Sequence, residues 1–320
     1  MNKLQQLKLV TTVVADTGEI EQIKLYHPQD ATTNPSLILK AVQKPEYKHL
    51  VQEAMEWGAK KGIDRSSETY FTINRLLVNF GSEILKIIPG RISTEADARL
   101  SFNTDETVNE SRQIIDFYKQ KGIERDRVLI KIASTWEGIQ AGKILEKEGI
   151  HCNMTLLFNY HQAIACAQAG VTLVSPFVGR IYDWYKKYES REYSGKEDPG
   201  VQSVNRIYNY YRHLDIPTVV MGASFRNVGQ IEELAGCDLL TISPSLMNDL
   251  QQDNSTLKRC LSVESAKNQN VEPISVNEKY FRWHLNEDAM ATEKLAEGIR
   301  SFSNDLNKLE GIIEDISSLA

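Results

Sequence analysis

A lysine sits in the middle of an apolar run, Arg127-Val128-Leu129-Ile130-Lys131-Ile132-Ala133-Ser134-Thr135. Lysine is rarely buried without a reason. Burial strips water from an ammonium and favours the neutral amine, the form that attacks a carbonyl to make a Schiff base. At this one position the plain alternative is a lysine that snorkels from an edge strand or pairs with a carboxylate for structure. Spacing elsewhere in the chain changes that balance. Side chains two apart in a strand share a face. That period puts Lys131 with Leu129 and Ala133, Thr32 with Asn34, Ser93 with Glu95, Asn153 with Thr155, and Ser175 with Phe177, while Asp16 ends another apolar run. Polar groups left unpaired in an interior are costly, so groups gathered on one face should share a network or a ligand.

Each member has a bland reading. Asp16 before Thr17-Gly18 can make a turn. Glu95 can pair with Arg91 or Arg99, Thr155 and Ser175 can satisfy backbone carbonyls, and Asn34 before Pro35 can be a turn residue. The joint pattern is stronger than any one of them: one lysine, two acids and several short polar groups projecting into one cavity. Arg180, Ser224 and Arg226 form a second group, each at or just past the end of an apolar run. Guanidinium groups bind phosphate oxygens bidentately, and Arg226-Asn227 opens an expected helix whose N-terminus offers free N–H groups. Surface pairing with Asp183 or Glu232 is the alternative for these arginines.

These residues need elements to hold them. Short apolar runs at 9–15, 30–36, 92–97, 127–135, 152–158, 171–180, 218–224 and 239–243 read as eight strands. Helical stretches are expected between them, at 19–26, 37–43, 45–61, 68–85, 106–120, 135–147, 160–169, 201–213 and 227–235, with Ser36 as the cap of the 37–43 helix. Eight strands alternating with helices predict an α/β fold: one eight-stranded parallel (β/α)8 barrel of the TIM type, whose site opens at the C-terminal ends of the strands. No G-x-G-x-x-G follows the first strand, which argues against an open dinucleotide-binding sheet. No Pro- or Gly-rich linker divides the repeats, so residues 1–320 read as one domain with 275–320 as a helical extension. There, Ser275-Val276-Asn277-Glu278 matches a capping box. Leu295, Ile299, Phe302, Leu306, Leu309, Ile313 and Ile316 fall at spacings of four and three, predicting a long helix, packed across its own barrel in preference to a coiled coil with another subunit.

Composition narrows the classes. The chain is 41% hydrophobic and 25% charged, as in a soluble globular protein, and its net charge of −6 lacks the basic footprint of a nucleic-acid binder. The N-terminus has no apolar signal region and no run approaches membrane-spanning length, so a cytoplasmic location and no membrane partner are expected. Cys152, Cys166, Cys237 and Cys260 are scattered, as are His27, His151, His161, His213 and His284. Reduced thiols and no catalytic metal follow.

Together these stretches resemble the transaldolases, Schiff-base enzymes of the pentose phosphate pathway. The resemblance is carried by Val13-Val14-Ala15-Asp16-Thr17-Gly18, Asp30-Ala31-Thr32-Thr33-Asn34-Pro35-Ser36-Leu37, Gly90-Arg91-Ile92-Ser93-Thr94-Glu95 and Leu129-Ile130-Lys131-Ile132-Ala133-Ser134-Thr135. It continues through Cys152-Asn153-Met154-Thr155-Leu156-Leu157-Phe158, Ser175-Pro176-Phe177-Val178-Gly179-Arg180 and Met221-Gly222-Ala223-Ser224-Phe225-Arg226-Asn227. The tail resembles the long bacterial and eukaryotic type, and residues 250–275 match least well. The resemblance implies that Lys131 forms the imine, Asp16 exchanges the proton of the cleaved aldol, and Glu95 works through a water held with Thr155. It implies that Thr32, Asn34, Asn153, Ser175 and Phe177 line the dihydroxyacetone site, and that Arg180, Ser224 and Arg226 hold phosphate. No cofactor is implied. The expected partners are sugar-phosphate substrates and a second copy of the chain. Two alternatives remain: a fructose-6-phosphate aldolase, whose members are shorter and use a tyrosine in place of the acid, and a non-catalytic sugar-phosphate-binding barrel.

Overall fold

A computed structural model describes residues 1–319. Eight strands pair in sequence order: β1 (Thr12–Asp16), β2 (Asp30–Thr32), β3 (Ile92–Glu95), β4 (Val128–Ala133), β5 (Cys152–Leu157), β6 (Leu173–Pro176), β7 (Val219–Gly222) and β8 (Leu239–Ile242). Every pairing is parallel, and β8 closes on β1 to make a barrel. The expected (β/α)8 barrel is therefore the observed fold. β4 and β5 are buried along their whole length, as strands covered on both faces must be.

The barrel interior is graded. Val14, Leu129, Leu173, Met221 and Leu239 pack together as an apolar layer inside it. Residues further along the same strands are polar, and the register sets them side by side. Asp16 lies opposite Thr32, Thr32 opposite Ser93, Glu95 opposite Lys131, and Lys131 opposite Asn153. The hydrophobic layer closes the barrel from below and leaves the chemistry at the C-terminal ends of the strands.

β5 breaks its register with β6 between Met154 and Leu157. Leu156 there has φ 51°, in the left-handed region, and is fully buried. Such a residue costs on the order of 1–2 kcal/mol, so the surrounding packing must hold it. A bulge of this kind re-aims the strand end just past Thr155.

Several boundaries differ from the sequence expectation. The helix after β2 spans Pro35–Val42, and Asn34, not Ser36, caps it by accepting from the Leu37 N–H at 2.9 Å. Proline suits the first helical position because its missing N–H has no partner there in any case. The run at 171–180 is not one strand: β6 stops at Pro176 and a helix occupies Val178–Glu189. That helix buries Val178, Ile181 and Tyr182, a helical spacing that the flat apolar reading overlooked. The helix expected at 227–235 is only Val228–Glu232. In the tail, Asn277 caps Glu278–Glu287 in place of the Ser275 capping box. The expected long helix is present at Ala289–Leu319. Leu295, Ile299, Phe302, Leu306, Leu309 and Ile313 are buried in it, while Ile316 is exposed. It packs against Pro35–Val42, Val178–Glu189 and β5, so the seam serves its own barrel.

Candidate active site

Lys131 is 5% exposed, at the middle of β4. Its Nζ stands 3.1 Å from Glu95 Oε2 on the neighbouring strand and donates to the Thr33 carbonyl at 3.3 Å. Glu95 is paired with neither Arg91 nor Arg99; Arg99 is engaged with Asp97 and Glu310. Burial pushes the Glu95 carboxyl above its ordinary range, the Lys131 charge pulls the other way, and Asp16 adds to the rise. Asp16 is raised for the same leading reason, burial, against Lys131, Thr32 and Arg180. Two carboxyls held above their usual range interact with one amine, an arrangement suited to proton exchange.

A polar chain runs around the interior. The Thr32 hydroxyl donates to Asp16 Oδ1 at 3.1 Å and lies 2.8 Å from the Thr241 hydroxyl. Asn153 donates to Ser93 Oγ at 3.0 Å and accepts from the Ser175 hydroxyl. Capping occupies the Asn34 carbonyl oxygen, which leaves its amide N–H groups to donate into the cavity. Thr155 is fully buried, yet its hydroxyl has no hydrogen-bond partner among the described residues. Glu95 Oε2 likewise receives no well-angled hydrogen bond, although Lys131 is at ion-pair distance. Orphaned buried oxygens of this kind call for a ligand or a water.

These groups converge on a small cavity of about 90 Å³ lined by Asp16, Thr32, Asn34, Lys131, Ser175, Phe177, Arg180, Ser224, Thr241 and Phe302. Asn153, Thr155 and Glu95 do not line it; they stand behind the lining. Two far roomier clefts, about 1000 Å³ each, flank Tyr160 and Arg206 and hold neither Lys131 nor any strand-end acid. Volume therefore points away from the chemistry, and convergence of polar groups is the better guide.

Arg180 lies in the first turn of Val178–Glu189. The first N–H groups of that helix donate to β7-side carbonyls, Val178 to Ala223 at 2.8 Å and Gly179 to Ser224 at 2.6 Å. Gly179 is needed for this approach, since a Cβ there would stand 2.2 Å from the Ser224 oxygen. The junction brings Arg180 and Ser224 to one side of the cavity, with Ser224 held at φ 62°. Arg226 is placed differently. It is exposed and pairs with Asp183 at 2.8 Å, with one weak contact to Ser224 Oγ at 3.4 Å. The expected free helix N-terminus beside it is also engaged: Asn227 accepts from the Gln230 N–H, and Gln230 accepts from the Arg226 N–H.

Thr241 and Phe302 were missed by the sequence reading. Applying the two-residue period to β8 would have placed Thr241 with Leu239 on the interior face. Phe302 had no distinguishing signal, being one apolar position among seven in its seam.

Residues 13–313 match the model of a family described as transaldolase/fructose-6-phosphate aldolase. The transaldolase of Rattus norvegicus is 57% identical over 314 residues, covering 98% of this chain and 93% of its own. That of Homo sapiens has the same identity and coverage. A Rhizobium etli transaldolase is 55% identical over 319 residues, covering 100% of this chain and 99% of its own.

Proposed function

The chain belongs to the transaldolase/fructose-6-phosphate aldolase family, and from that premise we propose that it is a transaldolase, a transferase working through a Schiff base on Lys131. The reaction moves dihydroxyacetone from sedoheptulose 7-phosphate to glyceraldehyde 3-phosphate and yields erythrose 4-phosphate and fructose 6-phosphate. The observation that carries this reading is the amine of Lys131, buried beside Glu95 and open to a polar cavity.

The steps follow from the groups present. The Lys131 amine adds to the ketone carbon, and the carbinolamine loses water to form an iminium. Glu95, with a water shared with the unpartnered Thr155 hydroxyl, carries the protons of these two steps. Asp16 takes the proton of the hydroxyl on the carbon that departs. The carbon–carbon bond then breaks, the aldehyde leaves, and the bonding pair moves into the iminium to give an enamine. The acceptor aldehyde reverses the sequence, and water releases the product. Thr32, Asn34 and Ser175 face the three-carbon unit, and Asn153 orients Ser175. Arg180 and Ser224 are the phosphate side of the cavity, with Arg226 a more distant contributor. The protonated imine serves as the electron sink for cleavage.

A cytoplasmic location, a place in the pentose phosphate pathway and a homodimer belong to the same reading, supported by family membership. Among the described residues no helix is long and apolar enough to cross a membrane. The test is a coupled assay for erythrose 4-phosphate with wild type and Lys131→Met. Transfer by the first and none by the second is expected. Release of free dihydroxyacetone without transfer would instead favour the aldolase side of the family.

A further inference from the structure

The guanidinium of Arg180 stands among acids that are all engaged elsewhere. Glu95, Glu297 and Asp16 are the carboxylates close enough to act on its charge. Glu95 is paired with Lys131 at 3.1 Å, Glu297 with Lys294 at 2.8 Å, and Asp16 accepts from Thr32. Among the described residues no ion pair or hydrogen bond holds the Arg180 side chain. It is held by rings. Its guanidinium carbon lies 5.1 Å from the centre of Phe177 and 5.3 Å from the centre of Phe302. Arginine stacks on aromatic faces through its planar cation and keeps its N–H groups available at the edge.

Phe177 comes from the strand end just before Arg180. Phe302 comes from the C-terminal helix, far away in sequence, and is 2% exposed. Gly298, one turn earlier on the same helix, faces the same place. A Cβ at Gly298 would stand 2.6 Å from Leu156 Cδ2 and 3.3 Å from Arg180 Nη1. The glycine lets the helix descend, and the phenyl four residues on then covers the cation. The helix is tied down on the barrel side: Asp305 accepts from Ser36, and Arg99 donates to Asn307 at 3.1 Å and to Glu310 at 2.7 Å. Trp184 donates to Glu293 at 2.7 Å.

We propose that Phe302 is a positioning residue for phosphate recognition: with Phe177 it clamps the Arg180 guanidinium between two rings, leaving its N–H groups free to meet the substrate phosphate. The C-terminal helix thereby sets the preference for phosphorylated donors. This rests on the transaldolase reading, and the two are separable because failure of that reading would show in the wild type, which would neither transfer nor trap a donor.

The experiment is a kinetic cycle with fructose 6-phosphate as donor. Phe302→Leu keeps apolar bulk and loses the ring face; Phe302→Tyr keeps the face. Phe302→Leu is expected to raise KM roughly thirtyfold, the scale of one desolvated cation–π contact, with the loss falling on KM more than on kcat. Phe302→Tyr should restore a KM near that of the wild type. In an Arg180→Ala background, Phe302→Leu should add no further rise in KM, because the guanidinium it covers is gone; the ring's other cation neighbour, Lys131 Nζ at 6.0 Å from its centre, would show in kcat. Multiplying effects in the double variant would overturn the proposal, as would an unchanged KM in Phe302→Leu. Circular dichroism checks folding of each variant. If Phe302→Leu does not fold, Phe302→Met is carried through the same cycle and judged by the same two outcomes.

Discussion

The amine of Lys131 lies within ion-pair distance of one carboxyl, and its charge also acts on a second, Asp16, so the division of labour between the two acids is the first thing to test. Asp16 lines the cavity and Glu95 stands behind it. Asp16→Ala should therefore still form the imine but lose carbon–carbon cleavage. Glu95→Ala should slow imine formation and hydrolysis. Each loss is expected at roughly 100- to 10,000-fold, the range for general acid–base groups. Single-turnover kinetics with both variants stalled at one step would reject the assignment. The arginines are also unequal. Among the described residues Arg180 has no hydrogen-bond or ion-pair partner and it faces the cavity, whereas Arg226 is exposed and paired with Asp183. Arg180→Ala should weaken binding of phosphorylated donors by roughly ten- to hundredfold, on the scale of a charge-assisted hydrogen bond. Arg226→Ala should cost clearly less. Equal losses measured as KM would return Arg226 to the phosphate site on the same footing. At this scale the sequence was legible where a polar residue interrupted an apolar strand, as with Lys131, Glu95 and Asn153. It was silent on Phe302, because an apolar residue in an apolar seam looks the same whether it packs a core or clamps a cation.

Junctions between elements carry the placement of the site. The β3 end is a case in point. Glu110, on the helix Thr104–Gln120, is buried and accepts from the Asp97 N–H at 2.8 Å and from Asn74 at 3.2 Å. Burial pushes its carboxyl up to about 7; the hydrogen bond from the Asp97 N–H opposes the rise, the Asp97 charge adds to it, and Asn74 and Arg99 oppose it. Tyr70 also faces this carboxyl. A carboxyl raised in the folded chain favours the folded state while it keeps its proton. That contribution is complete below the unfolded value of 4.5 and is lost as pH rises toward 7. The difference corresponds to on the order of 3 kcal/mol. Glu110→Gln keeps an acceptor for the Asp97 N–H without the ionisation. Its unfolding free energy should fall less than that of the wild type between pH 4.5 and 7.5, as denaturant titrations at each pH would read. Parallel curves would mean that Glu110 does not titrate in the fold. The eight strands and most of the helices between them, though not Val178–Glu189, were legible from strand runs and helical periods. Boundaries were less so, because they are set by contacts distant in sequence. The helix Val178–Glu189 begins where it does because its first N–H groups meet carbonyls at the end of β7.

The whole molecule is a barrel whose working end is covered by its own last helix. The closed eight-stranded order was legible because each strand run recurred between helical stretches, and eight such units suit a closed barrel better than an open sheet. How the last helix crosses the barrel was not legible, since a seam repeating at four and three does not name its partner. Its descent depends on Gly298. Gly298→Ala should lift or distort the helix against Leu156 and Arg180, raising KM for fructose 6-phosphate and lowering the melting temperature. A variant unchanged in both would show that the contact is slack. The central claim is that one buried amine, among the chain's many lysines, carries the substrate. Reduction with borohydride in the presence of fructose 6-phosphate, followed by digestion and mass spectrometry, tests it most directly. Expected are inactivation with one three-carbon unit per chain, on Lys131, and neither trapping nor transfer by Lys131→Met. An adduct on another lysine, or transfer that survives Lys131→Met, would contradict it.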